Sequence, residues 1–314
     1  MKVLLANPRG FCAGVNMAIE TVNEVLRKHG PPVYVFHEIV HNKHVVEDFV
    51  SRGVRFVGSI NEVPEGALVV YSAHGISPEV REASKKRKLI EVDATCPLVT
   101  KVHMEVVRYA REGHTILFIG HRNHDEAVGT VGEAPDNIIV VESAEEVERA
   151  VVPDPNKVAF VTQTTLSVSD AQRVIDAIKR RFPNVRYPVK DDICYATTNR
   201  QNAVTQWAPD ADVVLVIGSQ NSSNSRRLVE RAQEQGKAGY LIDDEAEVDP
   251  MWFTGKRSVL VTAGASAPEH LVNNLLQRLK REFGGVVETR TLVEEDVSFE
   301  LPKSARTLSL NVVR

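Results

Sequence analysis

Apolar and polar positions follow two rhythms along this chain: short continuous apolar runs, and longer stretches with helical spacing. KVLLANPRGF, KLIEVDAT and YPVKDDI are short runs ending in polar or turn-forming residues, and a cysteine follows each: Cys12, Cys96 and Cys194. Patterns of about four helical turns come next. From Val15 to His29 the apolar positions are Val15, Ala18, Ile19, Val22, Val25 and Leu26, and Gly30 with two prolines predicts the stop. From Leu98 to Glu112 they are Val102, Val106 and Tyr109, and Gly113 ends the pattern. A third, weaker version begins at Ala203 and Trp207. Each predicted helix leads into a strand (VYVFHEIV, TILFIG, DVVLVIG), and a polar cluster follows that strand. A second strand with a polar end then appears in each stretch: LVVYSAHG, VAFVTQTT and SVLVTAGAS.

The spacing nearly repeats. His41, His124 and Ser222 lie 29, 28 and 28 residues after their cysteines; His74, Thr165 and Ser266 lie 62, 69 and 72 residues after them. A fixed period marks an internal repeat. Strands alternating with helices predict an α/β fold of three similar domains with mostly parallel sheets. The third stretch lacks a closing strand and cysteine, and Lys2 to Ala6 with Cys12 supply both if the chain closes as a ring. The expected domains are 13–96, 97–193, and 1–12 plus 194–282, with 283–314 as an extended C-terminal tail. In α/β sheets, ligands bind beyond the carboxyl ends of the strands, where all of these polar clusters stand.

Composition narrows the classes. The chain has 314 residues, 43% hydrophobic and 25% charged, with a net charge of −4. That is an ordinary globular balance, with no electrostatic case for nucleic acid or an anionic membrane surface. The apolar runs are too short to span a bilayer. MKVLLANPRGFC resembles a lipoprotein leader, but its apolar segment is about four residues long, and Pro8 and Arg9 interrupt it before the cysteine. Three cysteines without a targeting segment predict a reducing, cytoplasmic setting.

A lone cysteine is usually a small buried hydrophobe. Three at equivalent positions, with none elsewhere, point instead to a shared metal centre. Zinc sites favour close C-x-x-C pairs, and this chain has none. Iron–sulfur clusters normally take four cysteines; three leave one iron open to a substrate oxygen as a Lewis acid. Gly10 and Gly14 allow close backbone approach at Cys12, and helix N-termini suit a negatively charged ligand sulfur. His41, His74 and His124 stand at strand ends in the repeat, where they suit donors to an anion. His37, His44 and His121 are ambiguous, because His41-x-x-His44 and His121-x-x-His124 also mimic metal pairs. His29, His103, His114 and His270 read as ordinary core or surface histidines. Ser222, Ser223, Asn224 and Ser266 are neutral donors, each alone a plausible helix cap; together with imidazoles and helix N-termini they make a phosphate cradle. No GxxxxGK[ST] loop is present. Glu126, two residues after His124, reads as a solvated loop carboxylate by itself and as a general acid beside a metal centre. Asp125 is expected to point elsewhere, as in an extended segment. The basic run REASKKRKL reads as a solvated helix face.

The segments NPRGFCAGV, HEIVHNKHVV, SAHG, DATCPLV, GHRNHDEAVGT, TQTTLS, DDICYATTNRQ, GSQNSSNS and TAGAS together resemble the 4-hydroxy-3-methylbut-2-enyl diphosphate reductase family, in order and to about residue 282. The resemblance implies three α/β domains in pseudo-threefold arrangement around one 4Fe–4S cluster with a unique iron. It implies that Cys12, Cys96 and Cys194 ligate the cluster. It places His41, His74, His124, Thr165, Ser222, Ser223, Asn224 and Ser266 on the diphosphate, and Thr164 and Glu126 at the substrate hydroxyl. Isopentenyl and dimethylallyl diphosphate are the implied products. No nicotinamide or flavin fingerprint is evident, so a ferredoxin or flavodoxin is the implied electron donor. The rivals are a zinc hydrolase with Cys and His ligands, and a redox sensor whose cluster is only switched.

Overall fold

The computed structural model describes residues 1–308. After β1 (Lys2–Asn7) and α1 (Ala13–His29) come β2 (Val33–Phe36), α2 (Lys43–Ser51), β3 (Val54–Val57), β4 (Leu68–Tyr71), α3 (Pro78–Lys86) and β5 (Ile90–Asp93). Then follow α4 (Pro97–Arg111), β6 (Thr115–Ile119), α5 (Asp125–Gly132), β7 (Ile138–Val141), α6 (Ala144–Arg149), β8 (Val158–Thr162) and α7 (Val168–Arg181). The last stretch holds α8 (Tyr195–Trp207), β9 (Val213–Ile217), α9 (Ser223–Glu234), β10 (Ala238–Ile242), β11 (Ser258–Ala263), α10 (Glu269–Phe283), β12 (Val286–Thr291) and α11 (Lys303–Thr307).

The fold is α/β, and the described residues form three sheets, each parallel throughout: β3-β2-β4-β5, β7-β6-β8 and β10-β9-β11-β1-β12. Within each sheet the order begins the same way, with the second strand of its stretch outermost and the first inside it. Central strands such as VVLVI of β9 are buried along their whole length, as expected for parallel strands covered on both faces.

Contacts divide the chain into two compact units. One comprises Met1–Val15, His41–Glu47 and Tyr195–Val297; the other comprises Asn16–Val40, Asp48–Cys194 and, among the described residues, 298–308. In the first unit, alternate residues of β1 feed opposite cores. Val3 and Leu5 pack with Leu271, Val272, Leu275 and Leu279 of α10. Leu4 and Ala6 pack with Ala203, Val204 and Trp207 of α8 and Leu228 of α9. The period of two along a strand produces that division. In the second unit β6 does the same, with Leu117 and Ile119 facing α7 residues and Ile116 and Phe118 facing Val102, Val106 and Tyr109 of α4.

Three local expectations need correction. YPVKDDI is not a strand: a single parallel bridge, Ala159 to Arg186, stands where a fourth strand would join the β8 edge. Its apolar residues Tyr187 and Val189 are exposed, and Pro188 cannot donate to a ladder. The helix after Cys194 begins at Tyr195, so Ala203 and Trp207 lie towards its end. Thr197, Arg200 and Gln201 are buried along with its apolar residues, which blurs the apolar stripe that sequence spacing depends on. VYVFHEIV gives a strand only to Phe36, since His37 takes a left-handed backbone conformation (φ 60°). Within 283–314, expected as an extended tail, residues 286–291 form β12 in register with β1; residues 309–314 of that tail lie outside the described residues. Among the described residues no helix is long and apolar enough to cross a membrane.

Candidate functional site

Each cysteine is half-buried and immediately precedes a helix: α1, α4 or α8. Each is fastened in the same way. The Cys12 amide donates to the Ala265 carbonyl (3.3 Å), the Cys96 amide to the Ala73 carbonyl (3.0 Å), and the Cys194 amide to the Thr164 carbonyl (3.0 Å). The residues after those acceptors are Ser266, His74 and Thr165. So each cysteine loop is bonded to the strand end that carries a candidate anion donor. Gly10 supports the Cys12 loop with φ +65°, and a Cβ there would press on the Ala267 carbonyl at 3.2 Å. Only glycine takes that conformation without strain.

In the first unit the polar strand ends form a neutral cluster. Ser222 caps α9 and is fully buried. Its Oγ accepts from Asn224 Nδ2 (2.9 Å), Ser225 Oγ (2.9 Å) and the Ser225 amide (3.4 Å). It also lies 3.2 Å from Ser266 Oγ, which donates to the His41 carbonyl at 2.9 Å. Asn224 Oδ1 accepts the Ala265 amide at 2.6 Å. Ser223 is buried beside them. Ser225 was not singled out from sequence. Its signal was steric: a Cβ at Gly218 or Gly264 would overlap its side chain, so both glycines in GSQNSSNS and TAGAS make room for it.

The second unit gathers titratable groups. His124 caps α5, and its Nδ1 accepts the Glu126 amide at 3.1 Å. A neutral ring accepting at Nδ1 carries its proton on Nε2, as a donor. His74 meets His124 edge to face with ring centres 5.7 Å apart, and its Nδ1 lies 3.3 Å from Ser72 Oγ. Glu126 is 1% exposed. Its Oε1 accepts the Thr164 amide (2.7 Å) and its Oε2 the Thr164 hydroxyl (2.9 Å). Burial pushes the Glu126 carboxyl up to about 7, with the charge of Asp192 adding to it and the two Thr164 bonds opposing it. Thr164 therefore links Glu126 to Cys194, through its amide and hydroxyl on one side and its carbonyl on the other. Gln163, fully buried, donates to Thr165 Oγ1 at 3.1 Å and accepts the His121 amide at 3.0 Å.

Asp125 does point away from Glu126, but on the first turn of a helix rather than in an extended segment. It pairs with His37 at 2.6 Å, a contact that raises the His37 pKa against the effect of burial. His44 pairs with Asp244 at 3.0 Å, and His121 lies 4.0 Å from Glu142. Asp192 was missed by sequence reasoning. Its buried carboxylate accepts the Thr162 amide (2.9 Å) and pairs with Lys101 (2.9 Å), which fastens the loop before Cys194 to the end of β8. DDIC contains two adjacent aspartates, and nothing in their spacing separates the structural one from its neighbour.

Single, widely spaced thiols are soft donors without the paired spacing of structural zinc sites. As a donor set they fit an iron–sulfur cluster.

Comparison with known proteins gives a consistent picture. Residues 3–280 match the family model described as LytB protein. A protein of Rhodopirellula baltica named 4-hydroxy-3-methylbut-2-enyl diphosphate reductase is 54% identical over 98% of this chain and 97% of its own. One of Azoarcus sp. with the same name is 54% identical over 96% and 97%. Among solved structures, E-1-hydroxy-2-methyl-but-2-enyl-4-diphosphate reductase from Plasmodium falciparum superposes with a TM-score of 0.94 at 40% identity, covering 97% of this chain and 96% of that one.

Proposed function

The chain belongs to the LytB protein family, and on that premise we propose that it reductively dehydroxylates 4-hydroxy-3-methylbut-2-enyl diphosphate to isopentenyl and dimethylallyl diphosphate. Cys12, Cys96 and Cys194 ligate one 4Fe–4S cluster. When bound, the cluster supplies two electrons one at a time and an open iron as Lewis acid toward the substrate hydroxyl. A ferredoxin or flavodoxin in the cytoplasm is the external donor.

The chain's own residues do the rest. His41, His74, His124, Thr165, Ser222, Ser223, Asn224 and Ser266 hold the diphosphate. Its negative charge suits imidazole and hydroxyl donors fixed by their own hydrogen bonds beforehand. Glu126 is the proton source. With its carboxyl near 7, a large fraction is protonated at neutral pH. In that state its O–H donates to Thr164 Oγ1, and Thr164 turns its own hydroxyl proton towards the substrate oxygen. The C–O bond breaks, and the oxygen leaves as water. Two electrons and two protons enter in total, the second proton ending at either end of the allyl fragment.

The observation that carries this reading is the shared fastening of the three cysteines: each amide is bonded to the carbonyl directly before Ser266, His74 or Thr165. A cluster used only as a sensor has no need for anion donors built onto each of its ligand loops. The test is anaerobic oxidation of reduced methyl viologen on adding the hydroxymethylbutenyl diphosphate to freshly purified protein, with product analysis. Oxidation with both isoprenoid diphosphates as products is expected. No oxidation by protein whose cluster is intact by iron analysis and spectroscopy overturns the reaction. Bound zinc in place of iron moves the hydrolase reading forward.

A further inference from the structure

Arg200 is the largest fully buried side chain in the described residues, 1% exposed. It lies in the second turn of α8, and every one of its donor nitrogens is used. Nε and Nη2 donate to the Gly10 carbonyl at 3.2 and 2.7 Å. Nη1 donates to the Ala196 carbonyl at 2.9 Å and to both oxygens of Glu295, at 3.1 and 3.2 Å. Gly10 stands two residues before Cys12, and Ala196 two residues after Cys194. Tyr195 adds a second tie, its hydroxyl accepting the Ala13 amide at 3.3 Å.

Glu295 comes from the C-terminal segment, well beyond the repeats. From β12 the chain passes over the loop that begins at Asn7. The Leu292 amide donates to the Asn7 carbonyl at 2.8 Å, and Asn7 Nδ2 donates to Glu294 Oε1 at 3.3 Å. Asn199 Nδ2 holds Glu295 Oε1 at 2.9 Å. The neighbours of Glu295 from Thr291 to Ser298 are exposed, whereas its own side chain is 14% exposed. A buried guanidinium is tolerated only when paired and fully hydrogen-bonded, and Glu295 is its only ion-pair partner among the described residues.

We propose that Glu295 is a positioning residue for the Cys12 loop: it neutralises and orients Arg200, which in turn holds the Gly10 carbonyl and the start of α8. The inference rests on reading the cysteines as cluster ligands. It gives the C-terminal segment a part in holding the cofactor, which the repeats do not.

The test compares Glu295→Gln, Glu295→Asp and Asn199→Ala with wild-type protein, each reconstituted anaerobically. Glu295→Gln keeps the size and removes the charge, leaving an uncompensated cation beside the Cys12 loop. Iron release to a chelator is expected to be about 10–100-fold faster, as for other groups that orient metal ligands. The cluster's reduction potential shifts upward, because reduction adds negative charge near an unbalanced cation. KM is unchanged, since no substrate donor is touched. Glu295→Asp restores part of both effects. Asn199→Ala, which alters no charge, speeds iron release less and leaves the potential in place, so a Glu295→Gln protein that fails to fold still leaves a decisive variant. Wild-type potential and wild-type iron release in Glu295→Gln, with only a lowered Tm, overturn the inference. So does an Asn199→Ala variant with wild-type iron release if Glu295→Gln does not fold. Wild-type protein that takes up no cluster overturns the reading of the cysteines themselves, a different result from a clustered wild type with an indifferent Glu295.

Discussion

The two polar clusters solve different problems. Around Ser222, Asn224 and Ser266 the hydrogen bonds run between neutral hydroxyls, an amide side chain and backbone groups. Among the described residues, the groups bonded to the Ser222 hydroxyl come from Asn224, Ser225 and Ser266, none of which has an acidic or basic side chain. Around Glu126 the partners are a carboxyl, a hydroxyl and two imidazoles, with the carboxyl held near neutrality by burial. On the proposed function, the first cluster holds an anion without exchanging protons, and the second includes the group that exchanges them. The difference follows from residue type. A serine hydroxyl can turn towards a ligand at little cost, while a buried carboxyl is driven towards its neutral, proton-bearing form.

If that division is right, mutations on the two sides separate in the kinetics. The largest expected effect is Glu126→Gln, with turnover falling about 10²–10⁴-fold, KM little changed and iron content unchanged; near-normal steady-state turnover would break the comparison at its catalytic side. Next is Ser222→Ala. It strands the donors now converging on one oxygen, a loss of about 1–3 kcal/mol, and should appear mainly as weaker substrate binding in a titration; an effect on turnover alone would move Ser222 to the other side. Third, turnover by the wild type is expected to drop about tenfold per pH unit well above neutrality, because the acid form of a carboxyl near 7 is the donor. A flat profile across that range would remove Glu126 as the acid. Thr164→Val takes away the hydroxyl bond that lowers the Glu126 pKa, so any residual activity should keep its acid limb to higher pH than the wild type.

The smallest effect concerns stability. The native Glu126 carboxyl binds its proton more tightly than the unfolded one, with a pKa raised from 4.5 to about 7. Its contribution is fully present below about 4.5 and is lost as pH rises to about 7. Chemical denaturation of wild type against Glu126→Gln across that window should show the wild type losing ground with rising pH; parallel curves would mean that the carboxyl titrates as in the unfolded chain.

Much of the fold was legible because parallel strands leave an unusually plain mark. VVLVI, TILFI and LVVY are continuous apolar runs, and burial on both faces requires that. The strands that went unnoted, β3, β7 and β10, begin their sheets at the outer edge. In β3 the run VRFV is broken by the exposed Arg55, and β10 opens on the small residues of AGYLI, whereas β7, IIVV, is apolar throughout but only four residues long. β12 is harder still: VVETRT is exposed along most of its length and held chiefly by its ladder with β1. Around the candidate site, Glu126 and Thr164 were picked out by their places near His124 and at the end of a strand. Their direct bond was not, because 38 residues separate them.

What the sequence determined by itself is the alternation of strand and helix, the α/β class, the placing of each cysteine before a helix, and the placing of polar donors at repeated strand ends. These are local properties, set by periodicities of two and 3.6 residues and by turn chemistry. What only the tertiary structure decided is which of those donors is buried, charged or already engaged. Glu126 and Asp125 are adjacent acids in one segment, and only packing drives one towards its neutral form and pairs the other with His37. Arg200 and Glu295 are likewise ordinary charged residues until the chain brings them together 95 positions apart. Desolvation and pairing energies depend on what surrounds a group in space, and no local pattern encodes that.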